Sequence, residues 1–473
     1  MKKNTPAYLQ PQPENLKVDP DIIRLFDVAA QSYSLLYPTV DRFVEAYDTA
    51  AYLASATNRK IGGIRRPLSI YVNFPFCNSI CFYCNYAPIV TKNSAGTKKY
   101  IDFLLREIKL QGHLFQDDPS VEQIYFGGGT PTLLNEGQLR CVTNEIHHYF
   151  NLSADGEYSI EIDPRQITSQ TMAALKEMGF NAIIIEVPDF DHEVQKAIHR
   201  IQPENKTLSA IQAAQQEAFQ SITTRLIYGL PKQTVKKFNE TLKKIIFARP
   251  NRISLVNYVH LPEKFKPQRN INTADLPPAE VRLEIIQQAI NQLSDAGYVH
   301  IGINHFVKNN DELAIAQQQG RLYHNFQGYS THMDSDLVGL GVAAIGSIGP
   351  TYSQNERDLS RYYDKLTQNI LPIARGLELT ADDLLRRLVM HTLTCNSVLL
   401  FESIETVFPI DFKDYFATEY AALIEYEKSG LLTLNDEGIS ITPKGRILMR
   451  NICMVFDKYL RASNERKHQS KII

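Results

Sequence analysis

The chain has 473 residues, 44% of them hydrophobic, with a formal net charge of −2. That length predicts about two or three domains with a substantial core. The near-neutral charge gives no whole-molecule field to draw nucleic acid or an anionic membrane.

The N-terminus, Met1-Lys2-Lys3-Asn4-Thr5-Pro6, is charged without an apolar segment behind it, so no signal peptide is expected. No apolar run is long enough to span a bilayer. Residues 1–66 read as an N-terminal arm, Pro-rich and then helical. From about residue 68 to residue 260, strand-like and helix-like patterns alternate. Strand candidates are 68–73, 121–126, 158–162, 182–187, 222–228 and 252–256, with amphipathic stretches such as 98–114 and 235–247 between them. Such β-then-α units predict parallel strands with right-handed crossovers. Six are too few for the eight-stranded barrel, so the expected fold is α/β, an open partial (β/α)6 barrel over 67–305. Its end is a linker at 270–278, a helix at 279–297 and a strand at 298–302. Residues 306–376 read as a connecting and substrate-cleft region. Residues 377–473 read as a mostly helical, winged-helix-like domain with a hairpin at 431–442 and a loose tail at 461–471. The domain shows no dense Lys/Arg face, so nucleic acid is not an expected partner.

The chemistry-bearing residues fall after the strands, where barrels place their sites. Cys77, Cys81 and Cys84 follow the first strand, and Gly127-Gly128-Gly129-Thr130-Pro131 follows the second. Glu161 and Asp163 end the third, Asp189 follows the fourth, Tyr228-Gly229 closes the fifth, and Asn257-Tyr258 follows the sixth. The C-x3-C-x2-C spacing supplies three thiolates and no evident fourth ligand. Structural zinc wants four closed ligands, whereas an iron–sulfur cube held by three cysteines leaves one iron open. Zinc, a redox dithiol and buried thiols remain the other readings of the residues. The chain has only six cysteines, and Cys141, Cys395 and Cys453 are scattered, which is no disulfide framework and suits a reducing cytosol.

The glycines either make a tight turn or let backbone approach a ligand and offer N–H groups to a carboxylate. Glu161 reads as a ligand to ribose or amino groups, or as a solvated strand-end acid. Arg200, ending a helical stretch at 191–200, either touches a ligand or stabilises the helix dipole.

C-x3-C-x2-C is the spacing of radical S-adenosylmethionine (SAM) enzymes. Over almost its whole length the chain resembles one family among them, the oxygen-independent coproporphyrinogen III oxidases. The resemblance rests on Leu68-Ser-Ile-Tyr-Val, Pro75-Phe-Cys77, Phe126-Gly-Gly-Gly-Thr-Pro-Thr132 and Ser159-Ile-Glu-Ile-Asp-Pro-Arg165. It continues through Leu226-Ile-Tyr-Gly-Leu-Pro-Lys-Gln-Thr234, Asn325-Phe-Gln-Gly-Tyr329 and Arg450-Asn-Ile-Cys-Met-Val-Phe-Asp-Lys-Tyr459. It implies that Cys77, Cys81 and Cys84 hold a [4Fe–4S] cluster whose open iron is chelated by SAM. It also implies SAM contacts from Tyr71, Gly128, Gly129, Thr130, Glu161, Arg200 and Ile345, with Tyr83 and Val259 as conservative matches. The implied reaction turns two propionates of coproporphyrinogen III into vinyl groups, giving protoporphyrinogen IX. The implied protein is a cytoplasmic monomer fed by a donor such as a flavodoxin or ferredoxin. A divergent paralogue that binds haem or porphyrin, or a radical-SAM enzyme for another tetrapyrrole, is the alternative.

The chain departs from the family pattern at several places. Tyr86 stands where the family commonly has a further Cys, and Asn73 where it has His. Its N-terminal element reads Tyr33-Ser-Leu-Leu-Tyr37-Pro38, without the family's Arg. Glu186 replaces a Gly, and Pro188 and Arg225 replace a Gln and an Asp that contact SAM in the family. Strand alternation predicts that Glu186 and Arg225 pair inside the barrel and fill part of a second SAM pocket, which puts a second SAM in question. Arg165 is expected to bind a substrate propionate.

Overall fold

The computed structural model describes residue 22, residues 37–59 and residues 66–461, apart from 87, 92, 93, 118, 119, 326, 327, 333 and 334. Most of the 1–66 arm, including Tyr33, thus lies outside the described residues, as do positions 326 and 327 of the Asn325–Tyr329 motif and the tail beyond Arg461. Helix α1 (Thr49–Asn58) comes from the arm; the capping carboxylate of Asp48 accepts from the amides of Ala50 and Ala51.

Strand β1 (Leu68–Phe74) shows why a barrel forms. Leu68, Ile70, Val72 and Phe74 are buried in the main core, while Tyr71 and Asn73 are joined by a side-chain hydrogen bond on the opposite face. The apolar face is covered by α2 (Ser94–Phe115), whose Tyr100, Ile101, Leu104 and Ile108 recur at helical spacing. The same exchange repeats through β2 (Val121–Gly128), α3 (Glu136–Tyr149), β3 (Leu152–Ile162), α4 (Ser169–Glu177) and β4 (Ala182–Val187). It continues through α5 (Glu204–Gln216), β5 (Ser221–Tyr228), α6 (Val235–Ala248), β6 (Arg252–Asn257) and α7 (Ala279–Asp295). Side-chain caps start several of these helices: Asn135 and Gln138 make a reciprocal capping box at α3, and Thr234 caps α6.

The sheet does not stop at these six strands. Beyond α7 come β7 (Tyr298–Gly302), β8 (His305–Lys308), β9 (Asp336–Leu340), β10 (Ile345–Ile348), β11 (Thr351–Asn355) and β12 (Ile373–Glu378). All belong to one twelve-stranded sheet ordered β12-β11-β10-β9-β1-β2-β3-β4-β5-β6-β8-β7. Strand β9 runs parallel to β1, so the parallel run is β9 followed by β1 to β6. Antiparallel strands extend both edges. The segment expected to be a connection therefore carries strands of the barrel sheet itself, and the 305/306 boundary cuts through β8. Every residue of β11, Thr-Tyr-Ser-Gln-Asn, is buried, so no apolar alternation marks it.

The C-terminal region contains α8 (Ala381–Asn396), β13 (Val398–Leu400), α9 (Ala417–Lys428), β14 (Leu432–Leu434), β15 (Gly438–Ile441) and α10 (Met449–Val455). The last two strands are the expected hairpin, and β13 completes a sheet ordered β13-β15-β14. Helices and sheet enclose a second core of Leu385, Val389, Leu393, Phe412, Phe416, Ile452 and Phe456. Docking onto the barrel is polar and specific: Tyr329 donates to the Thr394 carbonyl at 3.1 Å, Gln317 to the Cys395 carbonyl at 2.9 Å, and Arg446 to the His300 carbonyl at 3.2 Å. No helix among the described residues is long and apolar enough to cross a membrane.

Candidate active site

Cys77 ends a short strand, Phe76–Cys77, paired in parallel with Ile89–Val90. The Cys84 amide bonds to the Cys81 carbonyl at 3.1 Å, and the Phe82 amide to the Ile198 carbonyl at 2.9 Å. The Phe82 ring stacks on His199 with centroids 4.8 Å apart. The loop is thereby pinned to the segment after β4. All three thiols are free and partly exposed, while Cys395 and Cys453 are buried elsewhere and Cys141 is on the surface of α3. Burial pushes the Cys77 thiol up to about 11 and the Cys84 thiol up to about 12, and neighbouring thiols of the trio push further in the same direction. Three adjacent thiols that oppose one another's ionisation are a donor set waiting for positive charge. Iron supplies that charge and takes them as thiolates. Among the described residues no three His, Cys, Asp or Glu side chains converge on the position of one ion. A cube takes three thiolates on separate irons and needs no fourth protein ligand, whereas structural zinc wants four.

Two donors point at these sulfurs. Thr130 donates to Cys77 Sγ at 3.7 Å, and Arg200 Nη1 to Cys81 Sγ at 3.6 Å. Arg200 lies past the short helix His192–Ala197 rather than ending it, and it is almost fully buried. Burial opposes its charge, yet Tyr83, Cys81 and Asp163 outweigh that penalty and keep it a cation. Its position answers the sequence ambiguity in favour of the loop over the helix dipole.

The glycine turn lies against the same loop. Gly128 has φ +101°, and a Cβ there would stand 2.0 Å from Asn73 Oδ1. A Cβ on Gly129 would stand 2.4 Å from the Phe76 carbonyl oxygen. The expected amide donors for a carboxylate are not offered: the Gly129 amide is bonded to the Phe74 carbonyl at 2.6 Å and the Thr130 amide to the Phe76 carbonyl at 2.8 Å. Gly129 serves close approach of backbone to backbone, and Gly128 leaves room for the Asn73 side chain.

On the inner face, Tyr71 of β1 is level with Tyr125 of β2, and their rings are 5.8 Å apart. Tyr125 Oη donates to Glu161 Oε1 at 2.5 Å, and Arg225 Nη1 donates to the same oxygen at 2.9 Å. Arg225 Nη2 also donates to Tyr125 Oη at 3.2 Å. The expected Glu186–Arg225 hydrogen bond is absent: their closest approach is 3.9 Å, and the Glu186 carboxylate instead accepts from Tyr83 Oη. Register explains this in part. Arg225 is directly beside Glu186, but its long side chain reaches across β4 to Glu161. Tyr125 was not singled out from the sequence, although it precedes the glycine turn and shares the inward face with Tyr71.

Tyr83 packs with Val194, Ile198, Ile227, Leu230, Tyr258 and Ile271. Gln268 ties it to Val259 by donating to both carbonyls, at 3.4 and 3.2 Å. Ile345 lies in the opposite direction along the sheet, packed with Phe43, Tyr352 and Leu379. Two departures from the family pattern touch each other: Asn73 Nδ2 donates to Tyr86 Oη at 2.7 Å, and Asn73 Oδ1 accepts from Tyr71 at 2.9 Å. Arg165 is not available as expected, because Nε and Nη2 grip Asp163 at 2.9 and 2.6 Å. Burial disfavours the Asp163 charge, but Arg165 and Arg200 hold its pKa below the usual carboxylate range. Asp189 is a brace, accepting from Gln233 at 2.6 Å and Thr241 at 2.7 Å.

A partial barrel with three thiols on the loop after its first strand defines a class of protein, and a family model for the Radical SAM superfamily matches residues 71–245. A second model, the HemN C-terminal domain, matches residues 379–448. The chain is 45% identical over 463 residues to the oxygen-independent coproporphyrinogen III oxidase of Pseudomonas aeruginosa, covering 97% of this chain and 100% of that one. It is 40% identical over 452 residues to the enzyme of the same name from Escherichia coli K12, covering 96% and 98%. The solved structure titled as coproporphyrinogen III oxidase (HemN) from Escherichia coli, a radical SAM enzyme, matches with TM-score 0.88 and 40% identity over 94% of this chain and 100% of that one. The chain belongs to the oxygen-independent coproporphyrinogen III oxidase family.

Proposed function

We propose that the chain oxidatively decarboxylates two propionates of coproporphyrinogen III to vinyl groups, giving protoporphyrinogen IX. The observation that carries this is the set of free thiols of Cys77, Cys81 and Cys84, held against Gly128, Thr130 and Arg200 in a chain similar to these oxidases along its whole length. The cysteines hold a [4Fe–4S] cluster, which with bound SAM supplies an electron and a group able to remove hydrogen from a propionate β-carbon.

The protein's share is orientation, charge and exclusion of water. Thr130 and Arg200 donate to Cys77 Sγ and Cys81 Sγ and would stabilise them as thiolates. Tyr71, Glu161 and the glycine turn would hold SAM, with Tyr83 and Val259 beside the loop. Arg225 holds Glu161 in place. In this reading the cluster binds one SAM, and reduced flavodoxin or ferredoxin delivers the electrons.

The test is anaerobic turnover of the reconstituted protein with SAM, a reductant and coproporphyrinogen III. A product that has lost two carboxyl groups supports the assignment. Tight haem binding with no vinyl product replaces it with a tetrapyrrole carrier.

A further inference from the structure

A row of inward positions crosses the sheet at one level. Glu186 of β4 is in register with Arg225 of β5, Arg225 with Ser254 of β6, and Ser254 with His305 of β8. The row thus runs from the cofactor side to an imidazole that the chemistry above does not use. His305 Nδ1 is buried and has no hydrogen-bond partner among the described residues. The edge of Tyr329 meets the His305 ring at 5.1 Å and 77°, and the same tyrosine meets His324 at 4.8 Å and 74°. Two imidazoles therefore flank one aromatic ring. Burial lowers both histidines to about 3, and Arg225, Arg252 and Arg450 add to the effect at His305. His300 faces the same group and is lowered to about 3 as well, while His391 contributes at His324.

A neutral imidazole keeps a lone pair, and a buried one without a partner is costly unless a ligand satisfies it. Guanidinium groups of Arg282 and Arg450 lie near Tyr228, at the carboxyl end of β5. Carboxylates are better served by those cations. The Tyr329 ring and the His324 imidazole, on the two-stranded hairpin of Tyr323–Asn325 and Gly328–Ser330, together with His305 of β8 suit the apolar, N–H-bearing centre of a macrocycle.

We propose that His305 and His324, with Tyr329 between them, accept hydrogen bonds from pyrrole N–H groups and so position a porphyrinogen against the Arg225 end of the row. This rests on the tetrapyrrole reading above and names residues for it. A porphyrinogen offers four pyrrole N–H donors, whereas the oxidised porphyrin offers two N–H groups and two bare nitrogens. Acceptors placed here distinguish the two redox states of the same carboxylate-bearing ring.

The experiment compares anaerobic binding of coproporphyrinogen III and coproporphyrin III to reconstituted holoprotein, in unmodified form and as His305→Phe and His305→Asn. The phenylalanine keeps the ring contact with Tyr329 and removes the nitrogen; the asparagine restores an acceptor. The unmodified protein should prefer the porphyrinogen. His305→Phe should lose about tenfold in porphyrinogen affinity and much less in porphyrin affinity, with His305→Asn recovering most of it. Variants are compared at equal iron content and melting temperature. Equal weakening of both ligands, or no weakening, overturns the proposal. A clear preference that responds to His305 in a protein forming no vinyl product would leave this inference standing while the activity reading falls. Binding of neither ring by the unmodified protein would overturn both.

Discussion

The two halves of the barrel's inner face are built on different principles. From β1 to β3 the inward side chains are Tyr71, Asn73, Tyr125 and Glu161, uncharged apart from one carboxylate and linked by short hydrogen bonds. From β4 to β8 they include Glu186, Arg225, Ser254 and His305, where charge is balanced across strands and one imidazole nitrogen is left over. The first half is arranged around the cysteine loop. Arg225 of the second half crosses between them to Glu161.

The sharpest way to break the first half is at the loop. Changing Cys77, Cys81 or Cys84 to Ala should abolish iron–sulfur absorbance and SAM cleavage after reconstitution, while Cys141→Ala keeps both. Retained iron–sulfur absorbance in any of the three would remove that cysteine from the ligand set.

Next in size is Arg225→Asp, which replaces the bridge by a third carboxylate beside Glu161 and Glu186. Breaking such a pair from one side should cost about 3 kcal/mol in urea unfolding, with Arg225→Met costing less. Equal stability of Arg225→Asp and the unmodified protein would show that solvent screens the cluster. A SAM titration of the unmodified protein should find one site; two tight sites would mean that Arg225 leaves the second pocket open.

An effect of comparable size concerns the β1 flank. Glu107 of α2 is fully buried, accepting from Gly341 N at 2.7 Å, Tyr362 Oη at 2.6 Å and Asn355 Nδ2 at 2.6 Å. Burial raises it to about 7 against those three bonds. An acid whose pKa is raised on folding stabilises most at a pH below its unfolded value and loses that contribution as pH rises through the folded one. Stability should therefore fall between about pH 4.5 and 7, by roughly 3 kcal/mol from this group. Glu107→Gln should flatten that part of the profile in denaturant unfolding at pH 5 and pH 8. An unchanged slope would assign it to other groups.

The smallest effect is expected at Arg165. Because it is spent on Asp163, Arg165→Ala should change tetrapyrrole affinity by less than about twofold, and stability by about 1 kcal/mol or less. A large loss of substrate affinity would mean that the ion pair opens on binding.

Much of this was legible in the sequence because the physics was local. The six inner strands declared themselves as short strand-like runs alternating with amphipathic helical stretches, and the cysteine loop by spacing alone. Strand β11 did not, because Thr351, Ser353, Gln354 and Asn355 are polar residues buried by pairing rather than by apolar alternation. The Glu186–Arg225 expectation held only as a 3.9 Å ion pair with no hydrogen bond, for a related reason. Register places backbone, but a guanidinium on a long side chain chooses among acids one strand further away. Arg165 is paired with Asp163 because a residue two positions from an acid folds back on it. His305 carries no motif, and only tertiary placement opposite Ser254 brings it into the row.

The most direct test counts two products together. In one anaerobic reaction of the reconstituted protein with SAM, reductant and coproporphyrinogen III, 5′-deoxyadenosine and vinyl groups are measured side by side. The account predicts that they rise together, one 5′-deoxyadenosine for each vinyl group formed, and that both vanish in Cys81→Ala. Abundant 5′-deoxyadenosine with the propionates of coproporphyrinogen III untouched would contradict it.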